Sequence, residues 1–497
     1  MAESTRIRRE QPTKKILFGN SSFNIIDEFL YRKFPADLFD AVGHEACGLM
    51  RMPERQPELA SLQEVYWFRQ VLQAYGHQKD IWSTHEWTYH STNPGNHTLQ
   101  TQADLYVRDM LRALAYDFKR ITPAGLEDVG NGYHWSNWGA SGLFTRYPDV
   151  HPKPSYSAYA TAAHELSDAD FIRAVPTGSH SVYCLEFSRR RGDKLLACWT
   201  LRGTRPLSLS VKPAGRARLT DQQGNTERLE SKRGWITFGI SPSPVFVHGT
   251  AECGEAKAGP PARQAELSYL RRLEGRSKEL SALDSLDGWQ LPDKPDDRLD
   301  NGNFDMPRQK GTYEVIVVND EARGKCLQFS LAALGGWPGW IPAYQVLSSL
   351  QPIAVPGRLT AIGLYVKGNS GWGRIHLELR DAKGEGWLSI GMPGAWNASD
   401  EQSVSYVIFD GWRWMEIPLP GHYGSGFHWP RYCNWRHDGG DGIVHYPLAL
   451  TAIVVEQRRK IVYVNETMDA SREPVRLSGL TALCGNPEEV GDWEERR

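Results

Sequence analysis

At 497 residues the chain exceeds one ordinary domain and has length for two to four, each able to bury its own core. A formal net charge of −2 gives no electrostatic argument for nucleic acid or an anionic membrane as a partner, and 40% hydrophobic with 23% charged residues is the balance of soluble globular protein. No apolar run approaches the roughly 18–20 residues of a membrane span, and the opening MAESTRIRREQPTKK has no apolar segment of a signal peptide, so the sequence as written points to the cytoplasm.

Two further compositional features matter. The 18 Trp and 20 Tyr supply flat apolar faces with a hydrogen-bonding edge, which suits sugar rings, although β-sandwiches packed with Trp reach the same count. The seven cysteines (47, 184, 198, 253, 326, 433 and 484) are odd in number and widely spaced, with no CxxC pair. That argues against a zinc ribbon or a dense disulfide framework. Buried free thiols are the expectation, and one bridge stays open.

Residues 1–14 read as a polar tail. KILFGNS (15–21) is a short buried strand ending in a glycine turn, and FNIIDEFLYRKF (23–34) has apolar residues at helical spacing. LFDAV (38–42) is a second strand, ending at Gly43-His44-Glu45. Residues 59–75 form an amphipathic helix, Ile81-Trp82 a third strand, and 98–119 a long helix with Leu105, Met110, Leu111, Leu114 and Phe118 as apolar positions. Residues 120–122 start a fourth strand, and YSAYATAAHEL (156–166) a closing helix. Alternating strands and helices with short connections are the grammar of a parallel α/β fold. A dinucleotide-binding sheet is the competing arrangement, but no GxGxxG opens the first helix.

The stretch KDIWSTHEWTYHSTNPG (79–95) carries the chemistry. It leaves an apolar core and enters a polar, aromatic patch before the turn at Asn93-Pro94-Gly95. Glu86 is the first candidate for a catalytic carboxylate, with Trp87 and Tyr89 beside it. A solvated Glu at the end of a strand is the plain alternative. In a (β/α)8 barrel, catalytic residues sit just past the C-terminal ends of strands. His44 and Glu45, then Glu86, then Tyr133, His134 and Trp135 fall at such places.

Past residue 172 short alternating strands with Gly, Asn and Pro turns replace the helices. We assign 15–175 to the parallel unit, 176–250 to a small β-sandwich and 251–298 to a linker with a helix at 265–283. Residues 299–486 form a jelly-roll sandwich, and 487–497 a polar tail. Within the third region 421–446 is the most aromatic loop, and Tyr423, Trp429 and Trp435 are its candidate sugar-stacking residues. Asn301, Asn303, Asp305 and Glu456 form an oxygen-rich set suited to a structural calcium. No cofactor is expected for catalysis.

Five pieces in order carry a family resemblance: FPADLFDAVGHEACG (34–48), LQEVYWFRQVLQAYGHQKDIWSTHEW (62–87), TQADLYVRDMLRALAYDFKRI (101–121), NGYHWSNWGASGLF (131–144) and HPKPSYSAYATAAHEL (151–166). Together they resemble strands five to eight of the retaining glycoside hydrolase clan that places its two glutamates after strands four and seven of a (β/α)8 barrel. NGNFD, LRDAKGE and FDGWRWMEIPLP resemble galactose-binding-like modules. The resemblance implies that Glu86 is the nucleophile, attacking the anomeric carbon to form a glycosyl-enzyme intermediate. It implies His44, Trp87, Tyr89, Tyr133, Trp135 and Trp138 as substrate contacts, and a poly- or oligosaccharide as partner. Glu45-Ala46 departs from the aromatic that usually follows the family's His.

A retaining mechanism needs a second carboxyl as acid/base. In this clan that Glu follows an Asn, and no Asn-Glu pair precedes Glu86. The expectation is half a barrel whose first half lies upstream in a longer, exported enzyme or on a second chain. The alternative is a non-catalytic carbohydrate-binding or scaffold protein with a barrel remnant. On either reading the chain as given is expected to be inactive.

Overall fold

A computed structural model of the chain describes residues 2–19, 23–46, 69–86, 98–123, 125–128, 140–190, 192–212, 216–249, 252–261, 277–295, 308–336, 341–356, 361–389, 407, 409–419, 435–459 and 473–483. Residues 2–10 are not a tail but a helix, α1 (Ala2–Glu10). It is tied down by Arg8, whose guanidinium donates to Asp40 Oδ1 at 2.9 Å and to the Asp37 carbonyl at 3.2 Å.

The first sheet is parallel throughout and runs in chain order: β1 (Leu17–Phe18), β2 (Ala41–Ala46), β3 (Asp80–Glu86) and β4 (Phe118–Pro123). Between them lie α2 (Phe23–Tyr31), a helical stretch at 69–74 and α3 (Leu99–Ala115), and α4 (Pro154–Leu166) follows. Dinucleotide-binding sheets reverse their strand order at the middle. This one does not.

The boundaries differ from the sequence expectation because apolar spacing marks faces, not ends. Residues 36–38 form a single 3₁₀ turn, so β2 starts three residues later than expected. Helix α3 stops at Ala115, and Asp117, at φ 65°, reverses the chain straight into β4. At its other end Thr98 caps α3, its Oγ1 accepting from Thr101 N at 3.1 Å.

Helix α3 is buried on nearly every side. Ala103, Val107, Met110 and Leu111 enter the core, while Asp104 accepts hydrogen bonds from Gln222 and Ser243 of the middle region, each at 2.7 Å. The middle region runs from β5 (Ala169–Ala174) to β13 (Glu252–Ala258), longer at both ends than 176–250. Its strands are β6 (Val182–Arg189), β7 (Lys194–Thr200), β8 (Arg205–Lys212), β9 (Arg216–Asp221), β10 (Thr226–Glu230), β11 (Trp235–Ile240) and β12 (Val245–His248). They form a six-stranded sheet, β10-β9-β12-β7-β6-β5, facing a three-stranded one, β11-β8-β13.

One apolar cluster runs from the parallel unit into this sandwich. It joins Val42, Ile81 and Phe118 to Leu185, Phe187, Trp199 and Phe246. Tyr183 and Trp199 stack within it, centroids 4.8 Å apart and planes 11° apart. The sandwich thus serves as the packing partner of the helices.

The third unit begins at 277 rather than 299. The helix expected over 265–283 is corrected at β14 (Ser277–Ser281), which pairs antiparallel with β26 (Val475–Leu483); residues 265–276 lie outside the described set. Leu280 and Leu283 stand three apart, a spacing that also suits a helix, but the ladder with β26 supplies this segment's backbone hydrogen bonds and makes it a strand. Between β14 and β26 come β15 (Trp289–Gln290), β16 (Gln309–Lys310), β17 (Thr312–Asp320), β18 (Gly324–Ala333), β19 (Ala343–Val355), β20 (Ala361–Asn369), β21 (Ile375–Arg380), β22 (Gly386–Leu388), β23 (Asp410–Pro418), β24 (Arg436–Asp438) and β25 (Leu448–Gln457). Two sheets enclose one core built on Leu347, Leu364, Leu377, Ile453 and Leu477.

The third unit is docked on the second. Asp410 Oδ2 accepts from Arg205 at 2.7 Å and from Ser181 at 3.1 Å, and Oδ1 accepts from Ser370 at 2.6 Å. Ser370 and Trp372 both adopt positive φ, 51° and 57°, and Trp372 is buried in the cluster shared by the first two units.

Candidate functional site at the strand ends

The last residues of three parallel strands line up. Ala46 of β2 lies opposite Glu86 of β3, and Glu86 lies opposite Pro123 of β4. His44 pairs with Ser83, and Glu45 with His85, across a register shift. Neighbouring strands in a sheet are about 4.8 Å apart, so Ala46, Glu86 and Pro123 close their strands side by side at one end of the sheet. The side chains of His44 and Glu86, and residues Trp87, Tyr89, Tyr133, Trp135 and Trp138, lie outside the described set.

Sequence near these ends is constrained by backbone packing. A Cβ on Gly43 would sit 2.1 Å from the Gly19 carbonyl oxygen, so β1 and β2 approach this closely only with glycine there. Further back along the strands, the Arg120 guanidinium of β4 stacks over the Trp82 ring of β3, 4.6 Å from its centroid. Ile81 and Ser83, on either side of Trp82, are buried.

The connection from β4 to α4, which carries Tyr133, Trp135 and Trp138, is rooted on a buried ion pair. Lys153 and Asp128 have fully buried side chains in contact. The Lys153 ammonium also donates to the carbonyls of Gly142 at 2.7 Å and Ala140 at 3.3 Å, and Asp128 Oδ1 accepts from Gly142 N at 2.8 Å. Burial pulls the Lys153 ammonium below its ordinary pKa, against the pull of Asp128. Tyr106 donates to the Ser141 carbonyl at 2.6 Å and Gln102 to that of Ala140 at 3.1 Å. Asp128 and residues 140–142, which flank the aromatic segment in sequence, are therefore held together. Sequence reasoning reaches Lys153 only as the first residue of a Lys-Pro-x-Tyr-x-Ala opening; its pairing with Asp128, 25 residues away, has no local signal.

Two expectations in the third unit are corrected. Trp435 is 6% exposed and packs in the core, so it offers no face to a sugar. Tyr423 and Trp429 lie outside the described residues. Glu456 is fully buried, with one oxygen accepting from Arg374 Nε at 2.8 Å and the other contacting Arg308 and, at 3.1 Å, His376 Nε2. Burial alone would raise its carboxyl pKa, but the two guanidiniums hold it well below the usual range. A carboxylate already neutralised by two arginines does not fit a calcium site. Asn301, Asn303 and Asp305 lie outside the described residues, among which no group of three or more His, Cys, Asp or Glu is placed to hold a metal. No described helix is long and apolar enough to cross a membrane.

No family model and no curated protein matches the chain. Solved structures similar to parts of it include a family 39 glycoside hydrolase from Bacteroides cellulosilyticus WH2, at 17% identity and TM-score 0.41, over 49% of this chain and 52% of that one. A GH51 arabinofuranosidase from Xanthomonas axonopodis pv. citri is similar at 10% identity and TM-score 0.34, over 50% of this chain and 62% of that one. A family 11 carbohydrate-binding module from Clostridium thermocellum is similar at 10% identity and TM-score 0.24, over 42% of this chain and 96% of that one. The chain thus spans just over half to about three-fifths of the two hydrolases' length. None of the three reaches a TM-score of 0.5, so the functional reading rests on the strand ends.

Proposed function

We propose that the chain is a glycoside-hydrolase-like protein for O-glycosidic bonds of poly- or oligosaccharides, with Glu86 at the nucleophile position of a retaining mechanism. The observation that carries this is the sheet. Four parallel strands stand in unreversed order, and Glu86 closes the third of them, in register with the ends of its neighbours. That is where a (β/α)8 barrel places its catalytic groups.

Four strands do not close a barrel. Among the described residues β1 pairs only with β2, and β4 only with β3, so both edges of the sheet are open. Beside β1, helix α2 exposes Ile25, Phe29 and Tyr31, at 44%, 41% and 74%. An open parallel edge flanked by an apolar helix face fits further strand–helix units, supplied by a longer form of the polypeptide or by another chain. The acid/base carboxyl comes with those units in this reading.

The 497-residue polypeptide alone is therefore expected to turn over no aryl glycoside. Turnover lost on Glu86→Gln would overturn the half-site reading while keeping Glu86, and turnover unaffected by that change would overturn both. The absence of an Asn-Glu pair before Glu86 favours a second reading, a carbohydrate-binding protein without catalysis. In-frame translation of the DNA upstream of Met1 separates the two: more strand–helix units ending in Asn-Glu support the hydrolase, and an early stop supports the binding protein.

A further inference from the structure

We propose that Cys184 and Cys198 are a site of oxidative cross-linking, exchanging with a low-molecular-weight disulfide during folding so that a covalent bond staples β6 to β7. The two residues are direct partners in the antiparallel β6–β7 register. Their sulfurs are 3.6 Å apart, in van der Waals contact, and the residues are 1% and 0% exposed. They lie in the inner core of the middle sandwich with Val182, Leu196 and Val247.

Bond formation needs the sulfurs to close by about 1.5 Å, to roughly 2.05 Å. Facing residues of antiparallel strands hold their Cβ atoms about 4.5–5.5 Å apart, and the short end of that range meets the upper end of bridged geometry. Side-chain rotation with a small approach of the strands is sufficient. Cys326, another buried cysteine, faces Val318 across β17 (Thr312–Asp320) and β18 (Gly324–Ala333), and so serves as an internal control.

The exchange balances without further reagents. One protein thiolate attacks the small disulfide, releasing one small thiol and leaving a mixed disulfide on the protein. The second thiolate attacks that protein sulfur and releases the other small thiol. The protein loses two hydrogens, and the oxidant is reduced to two thiols. In the finished sandwich the contact with Cys198, together with burial, pushes the Cys184 thiol up, so thiolate is scarce there. The chemistry thus belongs to the stage before β6 and β7 are covered.

The test is oxidative refolding of the full chain in a glutathione redox buffer, against refolding in dithiothreitol, followed by alkylation and peptide mapping. The expected result is a Cys184–Cys198 linked peptide, Cys326 alkylated, and a melting midpoint about 6–12 °C above that of the reduced protein, from the loop of roughly 15 residues that the bond closes. Cys198→Ser and Cys184→Ala should each abolish the linked peptide and the oxidant-dependent shift. Maps in which both thiols are alkylated after oxidative refolding, or in which either is joined to another cysteine, overturn the proposal.

Discussion

Replacing Lys153 with Met tests how the aromatic connection after β4 is held. The Lys153 side chain is fully buried, as is that of Asp128, and its ammonium serves one carboxylate and two carbonyls. Methionine fills much of the same volume but leaves the Asp128 carboxylate in a dry site without its counter-charge. Breaking a buried pair from one side costs about 3–5 kcal/mol, a large part of the ~5–15 kcal/mol that holds a domain together. The assay is urea unfolding followed by far-UV circular dichroism, with Asp128→Asn and the double variant alongside. Asp128→Asn removes the stranded charge, so the double variant should be more stable than Lys153→Met alone, with a coupling of about 0.5–3 kcal/mol. A loss below about 1 kcal/mol, or two strictly additive losses, refutes the reasoning.

Gly43→Ala should give insoluble or strongly destabilised protein, because its Cβ would meet the Gly19 carbonyl at 2.1 Å; soluble protein with an unchanged melting midpoint would show that β1 and β2 can separate freely. Trp372→Ala should cost about 3–5 kcal/mol and speed amide exchange in β6 and β7 as well as in its own unit, since Trp372 sits in their shared core; exchange unchanged in β6 and β7 counts against that continuity. Acid should destabilise the protein through Asp320, Asp410 and Glu456, whose folded pKa values are lowered by their cationic and hydrogen-bonding partners. A lowered carboxyl contributes stability above its unfolded pKa, near 3.8 for Asp and 4.5 for Glu, and loses it as pH falls through the folded value. Melting midpoints should therefore fall as the pH drops below about 4; a midpoint flat through that acid range would contradict this.

The parallel unit is legible because its strands are short apolar runs and its helices have clean spacing, so β1 to β4 stand close to where periodicity puts them. Their ends are not, since Asp117 and the turn at 36–38 depend on backbone conformation. β5 and β13 are hidden because each lies in a segment whose composition assigns it otherwise, to the parallel unit or to a linker. Beside Asn and Asp, Glu456 reads as an oxygen ligand; only the fold brings Arg308 and Arg374 to it, from 148 and 82 residues away. Trp435 shows the same limit, because composition does not separate a core tryptophan from an exposed one within an aromatic-rich stretch. Chain order puts Glu86 just past the third apolar run, and β3 ends at that residue.

The most direct test of the central claim is the stereochemistry of hydrolysis by the polypeptide joined to any strand–helix units encoded in frame upstream or to a second chain that supplies them. Proton NMR of an aryl glycoside should show the first-formed sugar with its anomeric configuration retained, and Glu86→Gln should abolish the reaction. An inverted product, or undiminished turnover in Glu86→Gln, would contradict the assignment of Glu86 as nucleophile.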